Sequence, residues 1–92
     1  MDNNALRDNT SDNIAIATKP IKQGDAIIIE GEKLFVAVQD IEPRHKIALH
    51  EIDTGATIIR YGKPVGQATT NIHEGEEVQE SNTLPVANKR RQ

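Results

Sequence analysis

The sequence contains no cysteine and no tryptophan, and it has a single phenylalanine and a single tyrosine. Without cysteine the chain has no disulfide, no thiolate metal ligand and no cysteine nucleophile, which fits a reducing compartment. No apolar run approaches the roughly 20 residues that span a bilayer, and the N-terminus lacks the apolar core of a signal peptide. We therefore expect a cytoplasmic protein with no membrane partner.

A basic stripe and aromatic stacking surface are also missing, and the net charge is −3. Nucleic-acid binding is therefore disfavoured. The chain carries no nucleophile elbow, phosphate loop or dinucleotide motif, so we expect no catalytic residue within this chain alone. His45 and His50 would face opposite sides of a continuous strand, so we expect no metal site and no cofactor bound by this chain.

What the chain does contain is a repeat, in which alanine, isoleucine, glycine and a final β-branched residue recur at fixed positions. Its four copies occupy residues 17–27, 37–47, 48–58 and 68–78. They start 20, 11 and 20 residues apart, which groups them into two pairs offset by 31 residues. Arg44 replaces the glycine of the second copy. Each copy reads as strand, elbow, strand, because glycine permits the positive φ of a tight turn.

Short β-branched runs between turn residues predict an all-β domain with a pseudo-two-fold repeat and minimal helix. The 92 residues suffice for one small domain with an aliphatic core. We expect a flexible N-terminal arm at 1–11, the domain itself at 12–82, and an exit segment or tail at 83–92.

The best candidate for a binding site is Arg44-His45-Lys46, directly after Pro43. An imidazole between two cations on an elbow suits the carboxylate of a hydroxy acid through charge-assisted hydrogen bonds. Three exposed polar residues on a loop would give the same sequence without a function. Asn82 could fix a backbone or touch a ligand, and the hairpin tip at 60–63 could face an anionic ligand or a partner domain.

Several of these residues together resemble a known family, the N-terminal SAF (β-clip) domain of the altronate and galactarate dehydratases. The resemblance rests on residues 12–15, 43–49, 59–62 and 65–66. It implies the small domain or subunit of a hydro-lyase that removes water from sugar acids, inactive without a large catalytic partner. A divalent metal, usually iron, would belong to that partner. The related sulfolactate sulfo-lyase pairs a small subunit of this kind with a separate large one.

On this resemblance, the substrate-binding residues are His45, Lys46, Arg44 and Asn82. Two departures stand out: Arg44 replaces the glycine that the family usually has before His-Lys, and residues 78–82 lack the two histidines of many relatives. Two other functions stay open. The chain could be a stand-alone carbohydrate- or protein-binding module, or a structural domain that forms a homo-oligomer.

Overall fold

The computed structural model describes residues 2–85, and nearly all of its regular structure is β-strand. The predicted all-β class is therefore confirmed. A single turn of 3₁₀ helix, Glu80–Asn82, is the one helical element of these residues. The strands are β1 (Ala5–Leu6), β2 (Ile14–Ala17), β3 (Ala26–Ile29), β4 (Glu32–Val36), β5 (Lys46–Ala48), β6 (Thr57–Arg60), β7 (Lys63–Ala68), β8 (Glu77–Val78) and β9 (Thr83–Pro85).

The strands form three antiparallel sheets. The order in the largest is β1-β2-β5-β8, and it draws strands from the whole length of the chain. Strands β3 and β4 form a separate hairpin, while β6 and β7 form a second hairpin to which β9 adds a third strand. The molecule thus consists of two hairpin-bearing halves joined through one sheet, as the two pairs of repeats predicted.

Within each half, the two repeat copies are joined by backbone hydrogen bonds. The fifth residues of paired copies meet in β-bridges, Ile21 with Ile41 and Ile52 with Ile72. The eighth residue of each copy donates its backbone N–H to the carbonyl of the first residue of its partner copy. These four bonds run from Gly24 to Ala37, Arg44 to Ala17, Gly55 to Ala68 and Gly75 to Ala48, over 2.7–2.9 Å.

The eighth residue has a left-handed backbone in all four copies, with φ of 90° at Gly24, 87° at Gly55, 86° at Gly75 and 75° at Arg44. The departure at Arg44 therefore does not change the elbow. A non-glycine residue in this region is strained by about 1–2 kcal/mol. The second copy keeps the turn despite that strain.

The two hairpins are also related to each other by the offset of 31 residues. Each turns through two residues of positive φ, Glu30-Gly31 in one and Tyr61-Gly62 in the other, which is the favoured geometry for a two-residue turn. Each also has a register shift at the corresponding place, after Ile27 and after Ile58.

An asparagine clamps each hairpin to the central sheet. The side chain of Asn13 accepts a hydrogen bond from Ile59 N–H (2.8 Å) and donates one to the carbonyl of Thr57 (2.9 Å). Asn4 makes the corresponding bonds with Ile28 N–H and the carbonyl of Ala26, both at 2.8 Å. The pseudo-two-fold relation therefore extends beyond the four elbows.

The N-terminal segment differs from the flexible arm that we expected at 1–11. Strand β1 pairs with β2, and Asn3 Oδ1 accepts a hydrogen bond from Gly31 N–H at 2.8 Å. The segment belongs to the fold because it holds the first hairpin to the sheet, as residues 12–15 hold the second. At the other end, β9 pairs with β7, and the rest of the expected tail, 86–92, lies outside the described residues. The domain boundaries themselves stay predictions.

The core has two aliphatic clusters, one for each half. The first includes Ile21, Ile27, Ile41 and Ile47, and the second includes Ile52, Ile58 and Ile72. The isoleucines that recur in the repeat are thus the side chains that each half buries. Across residues 2–85, no helix is both long enough and apolar enough to cross a membrane.

Replacing Asn13 by alanine tests the clamp. The variant leaves a donor and an acceptor of the β6–β7 hairpin without their partner, so we expect the free energy of unfolding to fall by about 2 kcal/mol. Urea denaturation followed by circular dichroism measures this. Asn9→Ala is the control, since the exposed Asn9 side chain accepts hydrogen bonds from its near neighbour Ser11. Equal stabilities for the two variants would contradict the clamp.

Candidate functional site

The second elbow presents the three predicted residues, Arg44, His45 and Lys46, in sequence. Arg44 and His45 are exposed on the turn itself, and Lys46, half-buried, begins β5. In the sheet, Lys46 lies opposite Val78 and Ile47 lies opposite Glu77. The last repeat copy therefore supplies the neighbours of the second.

His45 makes a close contact across these strands. Its Nδ1 lies 2.7 Å from Oε2 of Glu77, whose side chain is only 13% exposed, against 49% for His45. An ionised carboxylate only accepts hydrogen bonds, so the imidazole donates from Nδ1 and leaves Nε2 for a ligand. The N–H of Glu77 in turn donates to Oε1 of Gln39 at 3.0 Å. Glu77 thus orients the ring of His45.

A 190 Å³ surface depression collects this elbow and the start of the 3₁₀ turn. It brings together Arg44, His45 and Lys46, three of the four predicted site residues. Its remaining lining residues are Glu77, Val78, Gln79 and Glu80. The cations thus share this space with two carboxylates.

Lys46 and Val78 also line a second depression of 260 Å³, which we call the β9 groove. Its other lining residues are Ile58, Arg60, Tyr61, Val65, Gly66, Thr83 and Leu84. Gly66 permits β9 to lie against β7, because a Cβ at this position would come within 2.7 Å of the carbonyl oxygen of Leu84. Lys46 therefore lines both depressions, one of which contains two carboxylates while the other contains none.

Asn82 is buried beneath the site, with 5% of its surface exposed. Its Oδ1 accepts from Gln79 N–H at 2.8 Å, and its Nδ2 donates to the carbonyl of Glu77 at 2.9 Å. It therefore fixes the backbone that carries Glu77, one of the two roles that the sequence left open. Contact between Asn82 and a substrate stays a prediction.

The other two histidines lie outside both of these depressions. Nδ1 of His73 lies 3.0 Å from Oε1 of Glu51, and the N–H of Glu74 donates to the same carboxylate at 3.3 Å. The hydrogen bond with His73 is the larger cause and the one from Glu74 the second. Together they hold the pKa of Glu51 below its ordinary value. Residues 2–85 bring together no group of three or more His, Cys, Asp or Glu side chains that could hold a metal ion.

The family model for the SAF domain of altronate/galactarate dehydratase matches residues 3–85. The chain belongs to this family. The resemblance drawn from the sequence is therefore confirmed, and the all-β architecture is consistent with the SAF β-clip fold. The matched region begins with the residues that lead into β1 and ends with β9.

Two altronate dehydratases are among the relatives of this SAF domain. The protein from Escherichia coli (strain K12) is 35% identical over 72 residues, and the one from Bacillus subtilis (strain 168) is 36% identical over 72 residues. Both alignments cover 78% of this chain but only 14% of the relative. The chain is thus homologous to a small part of a much larger protein.

Replacing Arg44 by glycine should stabilise the domain. Relief of about 1–2 kcal/mol of left-handed strain exceeds the roughly 0.5–1 kcal/mol that glycine's backbone entropy costs. We expect the free energy of unfolding to rise by about 0.5–1 kcal/mol, as measured by urea denaturation. Arg44→Ala is the control, because alanine retains the strain. A loss of stability in Arg44→Gly would show that the arginine side chain stabilises the elbow.

The Glu51–His73 pair predicts an effect of pH. A carboxyl whose pKa is lowered by folding stabilises the protein fully above its unfolded pKa, and this contribution is lost as the pH falls through the folded pKa. We expect carbon-detected NMR titration to place Glu51 below its ordinary 4.5, and His73→Ala to raise it. His50→Ala is the control, since His50 contacts the backbone carbonyl of Glu51 and not its carboxylate. An unchanged Glu51 pKa in His73→Ala would contradict this assignment.

Proposed function

We propose that this chain is the small domain or subunit of a sugar-acid dehydratase, a hydro-lyase acting on galactarate- or altronate-like hydroxy acids. It binds substrate beside a large catalytic partner and is inactive alone. The observation that carries this proposal is the elbow at 44–46, where three basic residues adjoin one depression and Glu77 orients His45.

The chemistry suits a carboxylate. Elimination of water from a hydroxy acid begins with loss of a proton next to the carboxylate, and negative charge then builds up on the carboxylate oxygens. Donors placed at those oxygens bind the substrate and stabilise that charge. Nζ of Lys46 is one donor that we assign to this role, and Nε2 of His45 is the other when the ring is doubly protonated, since both ring nitrogens donate only in the imidazolium form. Arg44 adds a long-range cation. Asn82 supports them through the backbone of Glu77 and would complete the substrate-binding set.

The catalytic groups themselves are assigned to the partner. The aligned region is 14% of each altronate dehydratase, which leaves most of such a protein to supply the base and the metal. We assign a divalent metal, usually iron, to that large part. We place the complex in the cytoplasm.

A stand-alone binding module is the second candidate. It is favoured by the β9 groove, where Tyr61 and Leu84 are 57% and 56% exposed. A carbohydrate often stacks on an exposed aromatic ring, and such a module would need no catalytic partner.

Co-purification from native cells, followed by a lyase assay, tests the proposal. We expect the tagged chain to bring down a large dehydratase-type protein, or to be part of one. The recovered complex should release water from galactarate or altronate. Sulfolactate is the third substrate to be assayed. His45→Ala should lower kcat/KM by roughly 10- to 100-fold, the value of a hydrogen bond to a charged group.

His50→Ala is the matched control, since His50 is exposed and lines neither depression that contains Lys46. It should retain full activity. Turnover that is unchanged in His45→Ala would reject the substrate-binding role. Recovery of the chain alone, without turnover, would favour the binding module.

A further inference from the structure

We infer that the β9 groove is the surface on which the large catalytic partner docks, and that it receives a segment with an acidic side chain beside apolar ones. This inference rests on the proposed function and adds to it the location of the interface.

The groove concentrates apolar surface. Tyr61, Val65 and Leu84 line it and are 57%, 42% and 56% exposed. Ile58 and Val78 form a buried apolar floor between them. A contiguous exposed apolar patch marks an interaction surface, and aromatic side chains such as that of Tyr61 are enriched in protein–protein interfaces.

The charge of the groove is cationic. Lys46 and Arg60 line it and no carboxylate does, although the chain as a whole has a net charge of −3. The guanidinium of Arg60 is held in place: Nε lies 3.3 Å from Oδ2 of Asp8, and the group sits 4.5 Å from the ring centroid of Tyr61. A pre-oriented cation favours a carboxylate on the partner at little cost in conformational entropy.

The position of the groove fits a shared active site. Lys46 and Val78 line both the groove and the depression of His45. A body seated in the groove would therefore lie directly beside a carboxylate bound by His45 and Lys46. The length of the altronate dehydratases outside the aligned region is ample to supply such a body.

A second apolar face serves as the internal control. Leu34, Val36 and Val38 on the first hairpin and its continuation are 45%, 54% and 45% exposed. Leu34 corresponds to Val65 through the offset of 31 residues, yet none of these three residues lines a depression that contains Lys46. A partner bound there would not be placed beside the proposed site.

Site-specific photo-crosslinking in the native cells distinguishes the two faces. p-Benzoylphenylalanine replaces Tyr61 in one strain and Val36 in another, and crosslinked peptides are identified by mass spectrometry. We expect crosslinks from position 61 to the catalytic region of a dehydratase, at least about tenfold above those from position 36. The readout is the same whether that region lies on another chain or on this one.

Three outcomes overturn the inference: crosslinks mainly from position 36, crosslinks from position 61 to a second copy or an unrelated protein, and no crosslink from either position. Lyase assays separate this result from the proposed function. A crosslink from position 61 to the catalytic region, combined with unchanged turnover in His45→Ala, would keep the docking surface and reject the substrate-binding role.

A paired substitution supplies an independent readout with the co-purified complex. Where the partner is a separate chain, Leu84→Ser should weaken the association by at least roughly fivefold, while Leu34→Ser should stay within about twofold of the unsubstituted chain. Matching unfolding curves show that both variants fold. Equal affinities in the two variants would overturn the docking surface.

Discussion

The domain depends on one reciprocal contact, the hydrogen bond from the eighth residue of each repeat copy to the first residue of its partner. The N–H of that eighth residue reaches the partner's carbonyl from a left-handed backbone, and two such bonds flank each isoleucine bridge. This constraint sets the path of the chain into and out of both hairpins. The aliphatic clusters then fill the space that the paired elbows enclose.

The copy that departs from glycine is also the copy that carries the candidate site. Arg44 adopts the strained conformation that glycine adopts elsewhere, and the strain persists because the two bonds of its elbow pair determine the turn. Strained backbone conformations of this kind are found preferentially at functional positions, where the side chain is retained although it lowers stability. The candidate site therefore lies at the one elbow of the repeat in which glycine is replaced.

Local pattern was sufficient to predict most strands, the four elbows and the pairing of the copies, because isoleucine, glycine and alanine recur at fixed spacing. It missed β1 and β9, which have two and three residues and gain their stability from β2 and β7. It also missed Glu77, which comes from a distant copy, although the pairing of β5 with β8 follows from the repeat. The β9 groove was beyond local pattern, since its walls come together only when the second hairpin receives its third strand.

The central claim is that His45 and Lys46 hold the carboxylate of a sugar acid inside an active site completed by a large partner. A structure of the assembled complex with a bound, unreactive sugar acid tests it most directly. We expect Nε2 of His45 and Nζ of Lys46 to lie within about 3.2 Å of the ligand's carboxylate oxygens. A ligand bound wholly by the partner, with both side chains turned to solvent, would contradict it.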